Sequence, residues 1–122
     1  MRLNLTPIEG AEVLEELFNP ASNDKTLAQK RKDTPVFSGV LKYFPDALKE
    51  VAKCSKAGND QHNPNKPLFW DRSKSGDELD ALTRHLIDHS VDPVDADGVL
   101  HLAKVAWRSL AALQKHLEGK EI

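Results

Sequence analysis

Apolar residues in this chain recur mainly at helical spacing, and strand-like alternation never lasts long. Leu79, Leu82, Leu86 and Ile87 fall three and four residues apart and predict a helix over 76–90, with its apolar side toward the core. Ser75 and Glu78 form an S-x-x-E capping box at its start. Ala47, Leu48, Val51, Ala52 and Ser55 predict a helix over 45–57, stopped by Gly58. Over 98–118 the apolar positions (Leu100, Leu102, Val105, Trp107, Leu110 and Leu113 among them) cover most of a helical circumference. That suits a helix central to a bundle or set in a subunit interface. A helix over 7–18 is predicted from Thr6 as N-cap, Pro7 at the first position, Glu9 three residues after the cap, and Pro20 as the stop. Residues 19–33 read as an exposed connector with a short helix near Leu27. The nearest strand candidate, "TPVFSGVLKYF" (34–44), is weakened by Pro35 and Gly39. The expected architecture is all-α, a single domain over 1–122 built as a bundle of about four helices.

Composition narrows the classes. The 122 residues suffice for one core, and no apolar run approaches the ~18 residues of a membrane span. The N-terminal stretch lacks the apolar run of a signal peptide, and Cys54, the single cysteine, rules out an internal disulfide and a cysteine-based zinc cluster. The expected location is the cytoplasm. A net charge of -2 gives no sign of binding to nucleic-acid polymers.

Polar residues supply the candidate chemistry. The stretch "SKAGNDQHNPNKPLFWDRS" (55–73) is too polar and broken for a helix or a buried strand, too long for an ordinary connection, and closes on Leu68-Phe69-Trp70. His101, Lys104, Arg108 and Lys115 fall within roughly 60° of one another on the last helix, a cationic stripe that is either a solvated edge or a row of phosphate donors. Asp77 and Asp80 are i,i+3 neighbours whose carboxylates can converge on a hard cation, or simply favour the helix dipole. Asp46 and Glu50, beside Lys53 and Lys56, gain meaning only if their helix packs beside the one carrying Asp77 and Asp80. Asp97 is expected to N-cap the last helix, with Asp95 nearby. His85 borders an apolar face as a hydrogen-bonded core histidine would. No catalytic-triad order and no Walker-type glycine loop is present.

The segments "ALKEVAK", "KAGNDQHNP", "DALTRHL" and "DGVLHLAKVAWR", together with their order, resemble the phage-encoded dATP/dGTP diphosphohydrolases, small MazG-like all-α nucleoside triphosphate pyrophosphohydrolases. The likeness spans about 34–117. It implies a four-helix, bundle-like subunit in a homodimer or homotetramer. It also implies cleavage of a purine (deoxy)nucleoside triphosphate, dGTP or dATP, to the monophosphate and pyrophosphate with Mg²⁺ or Mn²⁺, in the host cytoplasm. Glu50 and Asp80 match acidic positions of the motifs, and Asp77 joins them as third metal ligand; Asp60 and Asp97 are weaker candidates. Glu50, Asp80 and Lys53 are the expected catalytic residues. Asn59, His62, Asn63, Trp70, Lys74, Arg84, Lys104 and Arg108 are the expected substrate contacts. The E-x-x-E and E-x-x-D pairs typical of MazG proteins are absent within 34–117, the stretch that carries the likeness. The alternative is a non-catalytic helical phage protein that binds a nucleotide or a host protein.

Overall fold

The computed structural model describes residues 25–74 and 76–119. The helix expected over 7–18 and Ser75 of the expected capping box lie outside them. The described chain is all-helical, with α1 (Leu27–Lys32), α2 (Pro45–His62), α3 (Glu78–Val91) and α4 (His101–Leu117), a π-helical turn at Phe37–Leu41 and a 3-10 turn at Arg72–Lys74. No strand occurs among these residues; Val94 and Leu100 form an isolated antiparallel bridge. No helix among them is long and apolar enough to cross a membrane. The chain divides after Tyr43 into two compact units.

In the first unit, α1 is short and rests on its caps. Thr26 Oγ1 accepts from the Gln29 N–H, and Gln29 Oε1 accepts from the Thr26 N–H, both at 3.1 Å. This reciprocal box satisfies two otherwise orphaned donors, and Lys30, Arg31 and Lys32 complement the dipole at the other end. The 34–44 stretch is helical rather than extended, closed by the Lys42 N–H donating to the Phe37 carbonyl at 2.8 Å.

In the second unit, α2 opens with Pro45 at its first turn and runs past Gly58 to His62. A glycine inside a helix costs only about 1 kcal/mol, and Asn59 supplies tertiary anchoring one residue later. Asn59 is buried. Its Nδ2 donates to the Lys66 carbonyl at 3.3 Å, and its Oδ1 accepts from the Phe69 N–H at 3.2 Å. The connection after α2 is thereby folded back on the helix that it leaves. It turns at Asn63-Pro64-Asn65-Lys66, where the Lys66 N–H donates to the Asn63 carbonyl and Asn65 has φ 63°. Proline followed by asparagine at positive φ is the signature of a type II turn.

α4 is the common partner of α2 and α3. The loop between α3 and α4 is clipped by the Asp95 N–H to Val99 carbonyl bond at 2.9 Å and the His101 N–H to Pro93 carbonyl bond at 3.0 Å. Gly98 sits at φ 83°, a conformation that disfavours any side chain, while its N–H closes the turn on the Asp95 carbonyl. Asp97 does not cap α4 as expected. Its Oδ1 accepts from the Val99 N–H within the loop at 3.0 Å, and Leu100 holds the N-cap position.

The α3–α4 seam inverts the expected faces. Its apolar part is alanine, with Ala81, Ala103, Ala111 and Ala112 buried. Its polar part is Glu78, fully buried, held by Lys115 Nζ at 3.1 and 3.2 Å. Leu79, Leu86 and Ile87, expected to face the core, are more than half exposed. On α4, Leu102, Leu110, Leu113 and Leu117 likewise face outward. Each helix carries two stripes at helical spacing. Small alanines let the backbones approach, and the paired charges fill the remaining space.

Truncating one member of a buried ion pair strands the other charge at a cost of about 3–5 kcal/mol. Arg108 remains 3.8 Å from Glu78 as a weaker partner, so Lys115→Ala is expected to lower unfolding stability by somewhat less than that amount. The double variant Glu78→Met with Lys115→Met should recover most of the loss. Denaturant midpoints, compared at constant slope, check both expectations.

Candidate functional site

The last turns of α2, the 63–74 connection and α4 enclose a cavity of about 230 Å³. Among its lining residues, Cys54, Asn59 and His62 come from α2, Asn63, Phe69, Trp70, Asp71 and Lys74 from the connection, and Lys104, Trp107 and Arg108 from α4, with His85 and Asp97 beside them. The two indoles meet edge to face, with Trp70 and Trp107 centroids 5.5 Å apart at 76°. The Arg72 guanidinium lies 4.0 Å over the Trp70 ring and pairs with Glu118 at 3.1 Å, which ties the 3-10 turn to the end of α4. Arg108 lies 5.8 Å from the Trp107 ring. Trp70 Nε1–H is buried with no acceptor among the described residues. Buried donors are nearly always paired, so this one is suited to a ligand acceptor.

The cations differ in their commitments. Lys74 lines the cavity and makes no ion pair among the described residues. Lys104 Nζ donates to Asp95 Oδ2 at 2.6 Å and to Asp97 Oδ2 at 2.7 Å. Burial works against its charge, but the bonds from Asp95 and Asp97 more than offset this and raise its pKa. The same ammonium, with backbone N–H groups, holds both carboxyls below their usual range. Arg108 reaches Asp77 at 3.5 Å and Glu78 at 3.8 Å. The expected stripe His101–Lys104–Arg108–Lys115 is thus real as a line on α4, but it runs along the seam and is matched by carboxylates. Burial first, then the Lys104 charge, depress the His85 imidazole, and burial pushes the Cys54 thiol up.

Of the substrate contacts expected from sequence, Asn59, His62, Asn63, Trp70, Lys74, Lys104 and Arg108 line this one cavity, and Arg84 does not. Both polar ends of Asn59 are engaged by the connection's backbone, so its part here is to shape the wall. Leu68 and Phe69 are mostly exposed rather than a plug, whereas Trp70 is half-buried.

The expected metal and catalytic residues lie elsewhere. Glu50 pairs with Lys53 at 2.8 Å along α2, Asp60 pairs with Lys56 at 2.6 Å, Asp80 is exposed, and Asp77 faces Arg84 and Arg108. None of these carboxylates lines the cavity. Glu50, Asp77 and Asp80 form no converging ligand group among the described residues. Among the described residues the group that does converge is His85, Asp95 and His101, with ligand atoms all within 4.8 Å of one another. His85 Nδ1 and His101 Nδ1 are 3.0 Å apart. Trp107 and this trio went unrecognised in the sequence. Trp107 was absorbed into the apolar circumference of its helix, and the trio is assembled by a loop clip that no helical spacing encodes.

Among the described residues the protein is all-α, with a cavity of mixed aromatic and cationic lining. Residues 24–122 match the family described as dATP/dGTP diphosphohydrolase, N-terminal, and the chain belongs to that family. No curated protein and no solved structure matches it.

Proposed function

We propose that this chain hydrolyses a purine (deoxy)nucleoside triphosphate, dGTP or dATP, to the monophosphate and pyrophosphate with Mg²⁺ or Mn²⁺. The observation that carries the reading is the cavity, where stacking rings and an unpaired indole donor stand beside cations in a space of about 230 Å³. That space is just below the roughly 300–1,000 Å³ of common ligand sites, which suits a base and sugar held inside with the phosphates toward the mouth. The base stacks on Trp70, whose in-plane Nε1–H donates to a sugar or phosphate oxygen beyond the ring edge, while His62 and Asn63 meet the base edge. Lys74, Lys104 and Arg108 hold phosphate oxygens. In the reaction, water adds to the α-phosphorus, and the bond to the α–β bridging oxygen breaks. Pyrophosphate leaves with the electron pair, and the cations stabilise the charge that gathers on it. A divalent ion, when bound, neutralises the triphosphate and acidifies a bound water. Glu50, Asp77 and Asp80, the expected ligand set, form no converging group among the described residues, so no step is assigned to them.

The non-convergence of those carboxylates favours a second reading, nucleotide binding without cleavage. Turnover assays separate the two. With dGTP or dATP and Mn²⁺, pyrophosphate and the monophosphate are expected in equal amounts. Trp70→Ala should raise KM about tenfold, since base stacking on an aromatic is worth ~1–3 kcal/mol. Lys74→Ala should lower kcat/KM. A nucleotide-dependent rise in Tm without product selects the binding reading; no product and no Tm shift with any purine triphosphate contradicts both.

The outward leucine stripes of α3 and α4 support self-association as a homodimer or homotetramer. Light scattering is expected to return a mass of two or four times 13.6 kDa, and the mass of a single chain would contradict it.

A further inference from the structure

We propose that His85, Asp95 and His101 form a binding site for a borderline first-row divalent ion of the Co²⁺, Ni²⁺ or Zn²⁺ kind, in preference to Mg²⁺. The three ligand atoms come from three different places: mid-α3, the clipped loop and the first residue of α4. The two imidazoles share a hydrogen-bond-length contact that an ion would replace, and Asp95 stands off from both. Asp95 Oδ2 lies 3.9 Å from each ring nitrogen, beyond hydrogen-bond reach. The ring nitrogens face each other at 3.0 Å. An ion about 2.0–2.1 Å from each nitrogen would subtend roughly a right angle across that gap. This suits five- or six-coordinate ions with positions left open better than a closed tetrahedral site. Two imidazoles and one carboxylate are a borderline donor set, whereas Mg²⁺ prefers oxygen alone.

The surroundings are prepared for a cation. Lys104 occupies the edge of the site, sharing its ammonium between Asp95 Oδ2 and Asp97 Oδ2. Two carboxylates face one ammonium there, which leaves one excess negative charge in a part-buried place. When Asp95 turns to the ion, Asp97 still holds Lys104. Asp95 is itself oriented from behind, its Oδ1 accepting from the Ala96 N–H at 2.7 Å, the kind of outer support that bound-metal carboxylates use. The His101 backbone is pinned by the Pro93 carbonyl at 3.0 Å, and its side chain is buried. His85 and Lys104 also line the cavity, so an ion held here borders it. The inference does not depend on which ligand the cavity takes.

The test uses the untagged full chain, stripped of metal and titrated with Co²⁺, followed by visible absorption and calorimetry. One equivalent per chain is expected, with the weak bands of five- or six-coordinate cobalt. Zn²⁺ should displace it and millimolar Mg²⁺ should not. His85→Ala and His101→Ala should each weaken binding about 100-fold or more, since even outer-sphere changes cost 10–100-fold. His85 is the less buried of the two, so its variant serves if His101→Ala is poorly folded. Lys104→Met removes the competitor for Asp95 and should tighten binding. Absence of cobalt binding below about 1 mM, the site's limit of usefulness, would overturn the proposal. So would an affinity unchanged in both histidine variants, or displacement by Mg²⁺.

Discussion

The fully buried carboxylate of Glu78 is the constraint around which the second unit is arranged. A carboxylate without water is tolerable only with a cation in contact, and Lys115 provides one from the far end of α4. That pair fixes the axial register of α3 against α4. With the register set, Arg108 reaches Asp77, His101 meets His85, and Lys104 falls between Asp95 and Asp97. A slip of one helical turn would break every one of these contacts. The seam therefore acts as a template on which the cavity wall and the histidine pair are placed together.

The same constraint accounts for the unusual distribution of apolar side chains. Alanines and paired charges occupy the interior of the helix pair, and the leucines remain outside. Alanine burial yields far less than the ~1.5–3 kcal/mol of a buried leucine. The helix pair is thus held by specificity of pairing more than by bulk burial, and its outer faces keep the apolar surface that suits a second copy.

Much of the fold was legible in the sequence. Helical spacing identified the helices now seen as α2, α3 and α4, and the break between α2 and α3 drew attention to Trp70, Lys74, His62 and Asn63, which do share a cavity. What sequence concealed was which stripe faces inward. Leu79, Leu86 and Ile87 have textually sound core spacing, yet Glu78 and Ala81 take the seam, because a pairing across 37 positions outweighs local periodicity. Gly58 looked like a helix end, but Asn59 anchors the next turn through the Lys66 and Phe69 backbone. Of the carboxylates that match the motifs, Glu50 pairs along its own helix with Lys53 and Asp80 is exposed, and neither lines the cavity. The converging donors His85, Asp95 and His101 depend on the Gly98 turn, whose effect is visible only in three dimensions.

The central claim is that a purine nucleotide occupies the cavity between α2, its connection and α4. The protein has two tryptophans, Trp70 and Trp107, and both line that cavity. Intrinsic fluorescence titrated with dGTP or dATP is therefore the most direct measurement. The account predicts a saturable change in indole emission that is largely lost in Trp70→Phe. Emission unchanged at saturating nucleotide would contradict it.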